Sequence, residues 1–239
     1  MSSLSKNPYS EQDVSKMFDT ISAKYDFLNR LLSLNQDKRW RKKLISWVPQ
    51  KTSGTFLDVA TGTGDVLIAG MEAQKGYKKF IGVDISKEML KLAEQKIEQK
   101  QLEATLHKMS AENLDFAEKS IDCLTISFGL RNVNNREHAL QKFINLLKED
   151  GTLIILEFFL PPKKILSTFF LFYFRHILPK IGGLFANKEA YTYLPKSLET
   201  FGSAQNIIEK VTKMGTTLKH RQAFIFGSCE LLVFEKNKL

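Results

Sequence analysis

Short apolar runs alternate with longer amphipathic stretches through the middle of the chain. The apolar runs are of strand length, and the stretches between them have the spacing of a helix with one buried face. Strands are predicted near 55–60, 79–84, 104–108, 122–127 and 151–157, and helices near 65–75, 86–100 and 135–148. Strands that alternate with helices in this way form a parallel sheet covered by helices on both faces.

The two ends of the chain depart from this alternation. Residues 11–50 are predicted to be helical, because their apolar positions advance along one helical face in steps of four and three. These positions are Val14, Phe18, Ile21, Tyr25, Leu28 and Leu32. Near the other end, a helix is predicted at 203–214 and a strand pair within 216–235. The connection at Gly227-Ser228 makes that pair antiparallel.

The chain is large enough to bury its core as one domain, with 239 residues and 43 % hydrophobic content. We therefore predict a single domain over 1–239 with a Rossmann-like α/β fold. Its seven-stranded sheet should be mostly parallel with one antiparallel strand and helices on both faces. Residues 11–50 would form an N-terminal helical cap, and residues 158–200 an insertion that acts as a lid over an acceptor.

A glycine loop follows the first predicted strand, in the string Asp58-Val-Ala-Thr-Gly62-Thr-Gly64-Asp65. Gly62 and Gly64 tolerate positive φ and let a ligand lie against the backbone. Twenty positions later (84 − 64), Asp84 ends the second strand. A carboxylate at that distance accepts hydrogen bonds from the ribose hydroxyls of an adenosine. The combination predicts a site for an adenosine-containing cofactor.

The acids around this loop favour one such cofactor. A dinucleotide fingerprint has a third glycine, where this chain has Leu67, and it places a helix start against a pyrophosphate. Asp65 at that helix start would repel phosphate. Asp58 and Asp65 instead suit the cationic amino-acid and sulfonium end of S-adenosylmethionine. An NAD site and an ordinary glycine turn are the less favoured alternatives.

Four loops should converge on this ligand, because sites in such sheets form beyond the carboxyl ends of the strands. They are residues 60–65, 84–86, 109–112 and 127–132. Ser110, Ala111 and Glu112 follow the third strand and are placed to meet the adenine. Ser127 ends the fourth strand beneath the cofactor.

Other chemistry is less favoured by the sequence. Cys123 and Cys229 lie in apolar runs and are predicted to be buried thiols in a reducing compartment. The four histidines lack ligand spacing, so we expect no metal. The N-terminus is polar and has no secretory signal, which favours the cytoplasm.

The net charge of +9 is concentrated in residues 38–43, with Lys163-Lys164 as a second cluster. Nucleic acid, an anionic membrane or plain solvent would each suit such charge. The second cluster precedes the aromatic stretch 165–178, which is too short to span a bilayer and carries Arg175 and His176. That stretch is a core helix, an acceptor lid or a membrane contact. We favour peripheral contact with the inner face of the cell membrane and no nucleic-acid partner; a homodimer stays open.

Three strings together resemble one protein family. They are Ile126-Ser-Phe-Gly-Leu-Arg-Asn-Val133, Tyr25-Asp-Phe-Leu-Asn29 with Ser33 and Trp40, and the glycine loop itself. They look like the demethylmenaquinone and ubiquinone-precursor C-methyltransferases, over residues from about 15 to the C-terminus. The resemblance implies a class I methyltransferase fold and S-adenosylmethionine-dependent methylation of a ring carbon of a polyprenylated quinol. It also implies cofactor contacts at Thr63, Asp84, Ser110, Ala111 and Ser127.

The residues proposed for the chemistry are Arg131 and Tyr25. Arg131 would hold a water or a phenolate oxygen, and Tyr25 would orient the ring; a structural salt bridge and core packing are their alternatives. Asp37 replaces the histidine usual in this family, and Phe159 replaces its serine, so both are expected near the acceptor. The acceptor itself is most consistent with demethylmenaquinol. A benzoquinol, RNA or another small molecule are alternatives, as is a non-catalytic cofactor-binding protein at the membrane.

Overall fold

The computed structural model describes residues 7–33, 35–161, 168, 172, 193, 196–198 and 200–238. Most of the predicted lid at 158–200, with Lys163-Lys164 and nearly all of 165–178, lies outside these residues. The helices are α1 (Glu11–Leu32), α2 (Gln36–Ser46), α3 (Asp65–Glu72), α4 (Lys87–Gln99), α5 (Arg136–Leu146) and α6 (Ala204–Lys213). The strands are β1 (Gly54–Val59), β2 (Tyr77–Asp84), β3 (Thr105–Lys108), β4 (Ile121–Ser127), β5 (Leu147–Phe158), β6 (Thr216–Phe224) and β7 (Cys229–Lys236).

The seven strands form one sheet in the order β3-β2-β1-β4-β5-β7-β6. All neighbours pair in parallel from β3 to β5, whereas β7 runs antiparallel to both β5 and β6. The predicted fold class is therefore confirmed. Strand order reverses between β1 and β4, and the crevice at such a switch point is where α/β sheets bind ligands.

The sheet has a core on each face, because successive side chains of a strand point to opposite sides. Leu57 and Val59 of β1 join the core beneath α5 and α6. Phe56, which precedes Leu57, joins the other core, beneath α2 and α3. Apolar side chains dominate both faces, so the central strands lack alternation and appear as nearly continuous hydrophobic runs.

Leu67 shows how this fold replaces the third glycine of a dinucleotide site. Its side chain is fully buried on α3. A Cβ added to Gly82 of β2 would lie 2.8 Å from Cδ2 of Leu67. The space between helix and sheet is thus provided by a glycine on the strand rather than on the helix. This packing agrees with the prediction that the loop is not a dinucleotide fingerprint.

The predicted boundaries differ from the structure mainly at the start of β5. The helix predicted to reach residue 148 ends at Leu146, and Leu147 already has extended backbone angles, φ −67° and ψ 138°. Leu147 pairs with Ile121 of β4, so sheet hydrogen bonding outweighs the local helical pattern there.

Cys123 and Cys229 are buried free thiols on β4 and β7, as predicted. No helix within the described residues combines the length and apolar character needed to cross a bilayer.

Candidate active site

A cleft opens at the carboxyl edge of the sheet, where the four predicted loops converge under α1. It contains about 670 Å³ of empty space including its open mouth, within the range of small-molecule sites. Its lining includes Val14, Phe18, Tyr25, Ala60, Gly62, Asp84, Met89, Ser110, Ala111, Ser127, Phe128 and Val133. A smaller compartment adjoins it along the glycine loop and shares Tyr25, Ala60, Gly62 and Ser127. The site thus has a large, mostly apolar part and a small polar part.

The glycine loop turns sharply because three of its residues adopt left-handed backbone. The φ angles are 53° at Ala60, 56° at Gly62 and 81° at Gly64. Beside Gly62 the nearest atom to an added Cβ would be Cε1 of Tyr25, at 3.9 Å. The backbone of Gly62 therefore faces open space in the cleft, as a loop that cradles a ligand requires.

The loop after β4 forms the opposite wall and is held against the glycine loop. Phe128 adopts a φ of 57°, which is uncommon for an aromatic residue. A Cβ on the next residue, Gly129, would come within 2.4 Å of Cβ of Ala60. Strained backbone and close packing thus occur together at the ends of two adjacent strands, a combination that is frequent at binding sites.

Asp84 lies at the end of β2, where the sequence predicts the ribose-binding carboxylate. It is buried, and its two oxygens accept hydrogen bonds from the backbone N–H groups of Gly62 (2.8 Å) and Ser86 (2.9 Å). Burial raises its pKa to about 6, against the opposing effect of these donors. A carboxylate has about four acceptor positions, so it can still accept from ligand hydroxyls.

Asp58 is buried at the base of the small compartment. Its Oδ2 accepts from the hydroxyl of Thr61 (2.7 Å) and its Oδ1 from the hydroxyl of Thr125 (2.6 Å). Burial raises its pKa also to about 6, and the two hydroxyls oppose that rise. At neutral pH it therefore remains mostly ionised, one buried negative charge next to the glycine loop.

The other predicted cofactor residues lie along the same surface. Ser127 lines both parts of the site, and its hydroxyl is buried with no hydrogen-bond partner in the described part of the chain. Ser110 and Ala111 line the large part, where Ser110 donates to Glu11 of α1 at 2.8 Å. Thr63 lines the small part and donates to Asp26 of α1 at 2.7 Å.

The structure corrects the role predicted for Asp65. Its carboxylate contacts Arg41 (2.9 Å), Lys96 (2.8 Å) and Arg30 (3.7 Å). Burial favours the neutral form, but these cations outweigh it and hold the pKa of Asp65 below its usual value. Both oxygens of Asp65 already bind these cations, Oδ1 to Lys96 and Oδ2 to Arg41 and Arg30, so Asp65 is not the group that would attract a cationic ligand. Of the two acids that line the small compartment, Asp58 is the one without an ion pair among the described residues.

Arg131 is buried in an ion pair behind the wall of the cleft. Its Nη1 donates to Oε1 of Glu157 at 2.6 Å and to the carbonyl of Phe128 at 2.7 Å. Arg131 is not among the residues found to line the cleft, and its Nε has no hydrogen-bond partner within the described chain. The pair forms because β4 and β5 are adjacent, with Ser127 opposite Leu156.

Tyr25 reaches the site from α1 and lines both of its parts. Its ring meets Phe18 edge to face, with centroids 5.9 Å apart. Burial raises the pKa of the phenol, which therefore stays protonated at neutral pH and can donate a hydrogen bond. The prediction that Tyr25 belongs to an apolar helix face and the prediction that it reaches the ligand are thus compatible.

Asp37 and Phe159 do not take the positions expected of them. Asp37 is buried on α2, where it accepts from Ser33 at 2.8 Å and pairs with Arg41 at 2.7 Å. Phe159 is buried and stacks on Phe201, with centroids 5.1 Å apart. Neither is among the residues that line the cleft. Asp37 supports the ion-pair network instead, and Phe159 fills the core.

Glu112 and Arg41 also contribute to the site, and of these two only Arg41 has no signal in the sequence pattern. Glu112 lines the cleft and accepts from the backbone N–H groups of Asn134 (3.0 Å) and Asn135 (2.9 Å). It thereby joins the loop after β3 to the start of α5. Arg41 lines the small compartment from α2. It lies in a run of basic residues, so only its position in the fold separates it from its exposed neighbours.

These features fit S-adenosylmethionine. Asp84 suits its ribose, the loop at Ser110 suits its adenine, and Asp58 suits its cationic end. The unpartnered hydroxyl of Ser127 and the open backbone face at Gly62 lie between these points. Within the described residues, no group of three or more histidine, cysteine or acidic side chains is arranged to hold a metal ion.

Known proteins agree with this assignment. An S-adenosylmethionine-dependent methyltransferase from Clostridium acetobutylicum has the same fold, with a TM-score of 0.64, 14 % identity and coverage of 90 % of this chain and 98 % of that one. The ubiquinone/menaquinone biosynthesis C-methyltransferase of Geotalea uraniireducens is 40 % identical over 87 % of this chain and 90 % of its own. The demethylmenaquinone methyltransferase of Thermus thermophilus is 35 % identical over 92 % of this chain and its entire length.

Fold and site together define a class I methyltransferase that uses S-adenosylmethionine. The profile of the ubiE/COQ5 methyltransferase family matches residues 6–233, nearly the whole chain. The chain belongs to that family.

Proposed function

We propose that the protein methylates a ring carbon of demethylmenaquinol. The observation that carries this proposal is the similarity to the Thermus thermophilus demethylmenaquinone methyltransferase, which extends over the entire length of that relative. The cleft supports it, because Val14, Phe18 and Phe128 give an apolar wall against which a flat ring can pack.

The chain's task in such a reaction is to align and to ionise the acceptor. S-adenosylmethionine supplies an electrophilic methyl group, so the ring carbon must be held in line with it. A phenol with a pKa of about 10 is ionised in roughly one molecule per thousand at neutral pH. Oriented donors that stabilise the anion lower the barrier by about 3 kcal/mol each.

Tyr25 and Arg131 are the residues we propose for this stabilisation. The hydroxyl of Tyr25 would donate to the ring oxygen inside the cleft. Arg131 would act through its positive charge from behind the loop at Phe128, because its unpartnered Nε is buried and the residue is not among those that line the cleft. Glu157 holds its guanidinium in place but also offsets its charge. The contribution of Arg131 should therefore be smaller than that of an unpaired arginine.

The test is a methyl-transfer assay with labelled S-adenosylmethionine. Reduced demethylmenaquinone, a demethylated benzoquinol and RNA are offered separately to the purified protein. We expect label in the naphthoquinone as a carbon-bound methyl group, identified by mass spectrometry. Tyr25→Phe and Arg131→Lys should lower kcat while leaving binding of S-adenosylhomocysteine unchanged. Absence of label from the naphthoquinone, with a known relative active alongside, contradicts the proposal. Label in the benzoquinol or RNA instead identifies that acceptor.

We also propose that the protein contacts an anionic membrane surface, where a polyprenylated quinol resides. Four basic side chains on α2 are exposed: Lys38, Arg39, Lys42 and Lys43. Trp40 on the buried side of α2 packs against Phe224, with centroids 5.9 Å apart. The turn that follows Phe224 exposes Ile225 and Phe226, the latter to 79 %. Basic and apolar side chains on neighbouring elements suit a headgroup boundary. The sequence left a homodimer open, and sedimentation velocity measures the oligomeric state.

A further inference from the structure

The small compartment carries charge of both signs. Asp58 supplies the negative charge at its base, and Arg41 enters from α2. Gly62 and Thr63 of the glycine loop also line the compartment, as does Asp65, whose oxygens are bound by cations. Nothing in the sequence pattern sets Arg41 apart from its basic neighbours, so its presence here calls for a structural explanation.

Arg41 is held in one orientation by three contacts. Its Nη1 donates to Oδ2 of Asp37 at 2.7 Å and to Oδ2 of Asp65 at 2.9 Å. Its guanidinium carbon lies 6.0 Å from the centre of the Phe128 ring. The side chain is only 11 % exposed. An arginine fixed in this way loses little further entropy when it binds a ligand.

Most of the donors of Arg41 are still available. Both carboxylates bind the same nitrogen, and in the part of the chain that the structure describes neither Nη2 nor Nε has a hydrogen-bond partner. A guanidinium has five N–H donors in a planar fork. That fork matches the two oxygens of a carboxylate, in the bidentate pairing that arginine favours.

The charge around Arg41 is balanced without Asp58. Asp26, Asp37 and Asp65 form one network with Arg30, Arg41 and Lys96, so three negative charges meet three positive ones. Asp58 is additional to this network. The compartment therefore presents one fixed guanidinium and one separate carboxylate to a ligand. A zwitterionic amino acid has the complementary pair of groups, a carboxylate and an ammonium.

We propose that Arg41 binds the carboxylate of the amino-acid part of S-adenosylmethionine, opposite Asp58 at the ammonium. Asp37 and Asp65 act as positioning residues, because they hold Nη1 and leave the rest of the fork available. This assigns Asp65 a purpose different from attracting a cation. It also explains why an acid begins α3, where the sequence pattern suggested direct ligand contact.

Two ligands that differ in the amino-acid part test this assignment by calorimetry. S-adenosylhomocysteine carries that part, whereas 5′-methylthioadenosine has a methyl group in its place. Loss of one charge-assisted pair should weaken binding of S-adenosylhomocysteine to Arg41→Gln by about ten- to a hundredfold. Binding of 5′-methylthioadenosine should change by less than about threefold, which also shows that the variant is folded. Lys42→Gln, an exposed neighbour with the same charge, is the matched control and should alter neither.

The wild-type protein provides a second measurement that needs no variant. It should bind S-adenosylmethionine at least about tenfold more tightly than its decarboxylated form. Arg41→Lys keeps the charge but not the fork and should lose part of this preference. Equal affinity of the wild type for both forms overturns the proposal, as does unchanged S-adenosylhomocysteine binding in Arg41→Gln. No quinol is present in these measurements, so their outcome is independent of the acceptor.

Discussion

Asp84 shows what the sequence can predict for a single residue and what the structure adds. Its distance from the glycine loop predicts a ribose ligand, and the structure adds that it is buried with a pKa of about 6. That value was not accessible from the sequence, because it depends on burial and on N–H donors from Gly62 and Ser86. A carboxylate with this pKa is ionised at neutral pH but protonated in mildly acidic solution.

Cofactor affinity should therefore fall as the pH falls below about 6. If ribose hydroxyls donate to the ionised carboxylate, Asp84 alone should lower the affinity for S-adenosylhomocysteine by up to about tenfold per pH unit there. The pKa of Asp58 is also about 6, so Asp58 adds its own decrease in the wild type. Asp84→Asn should bind weakly at pH 7 and keep only the shallower dependence due to Asp58. Calorimetry between pH 5 and pH 8 measures this. A pH-independent affinity in the wild type contradicts the role of Asp84.

Titration of Asp84 does not unfold the protein at low pH, so unfolding through this group does not explain a loss of cofactor affinity. The folded pKa of Asp84 lies above the ordinary value of 3.8, so folding favours its protonated form. Its contribution to stability is present below about pH 4 and is lost as the pH rises through about 6. With respect to this group, acidification thus stabilises the fold while it weakens the site. A thermal melt at each pH separates the two effects.

Among the described helices and strands, α1 is the one that covers the cleft. It covers the cleft with Val14, Phe18 and Tyr25 and is joined to the parts beneath it by polar contacts. Asp26 accepts from Thr63 at 2.7 Å and pairs with Lys96 of α4 at 2.5 Å. Asp19 accepts from Ser86 at 2.6 Å, at the start of α4. These contacts link the helix that covers the site to the loops for which we predict cofactor binding.

Removal of the Asp26 carboxylate should loosen this cover. In Asp26→Ala, Thr63 and Lys96 lose their partner on α1, so S-adenosylhomocysteine should dissociate several-fold faster with little change in the association rate. Stopped-flow fluorescence measures both rates, and amide exchange reports the opening of α1. Lys24→Ala, an exposed change on the same helix, is the control. Identical dissociation rates in the two variants would show that α1 does not restrain the ligand.

At the scale of the whole molecule, the basic residues behind the net charge of +9 differ in their location. Arg41 belongs to the site, and Trp40 beside it belongs to the core, whereas the remaining basic residues of α2 face solvent. The exposed turn at Ile225-Phe226 follows the strand that packs against Trp40. A membrane surface is thus proposed from charge and apolar exposure on neighbouring elements.

Binding to vesicles tests that surface. The protein should sediment with anionic phosphatidylglycerol vesicles and not with neutral phosphatidylcholine, and added salt should weaken binding through screening. Phe226→Ser and the double variant Lys38→Gln/Lys42→Gln should each reduce the bound fraction. Lys91→Gln, at a basic residue exposed on α4, is the matched control. Equal binding to both vesicle types overturns the electrostatic part of the proposal.

The sequence by itself determined the order of elements, the glycine turn and the carboxylate at the end of β2. These features are local: hydrophobic period, chain reversal and strand ends depend on residues close together in the chain. It also placed Ser110, Ala111 and Ser127 correctly at the edge of the sheet where the strands have their carboxyl ends, because parallel strands all end on one side.

Only the tertiary structure decided which charges remain for a ligand. Asp65 meets Arg30, Arg41 and Lys96 from three different helices, and Arg131 meets Glu157 across two strands. Partners of this kind are distant in the sequence, so no local pattern specifies them. Burial then fixes the pKa values that the same side chains would not have in water. The sequence shows both acids of the glycine loop, Asp58 and Asp65. It does not show that Asp58 is available to a ligand whereas Asp65 holds Arg41 in position.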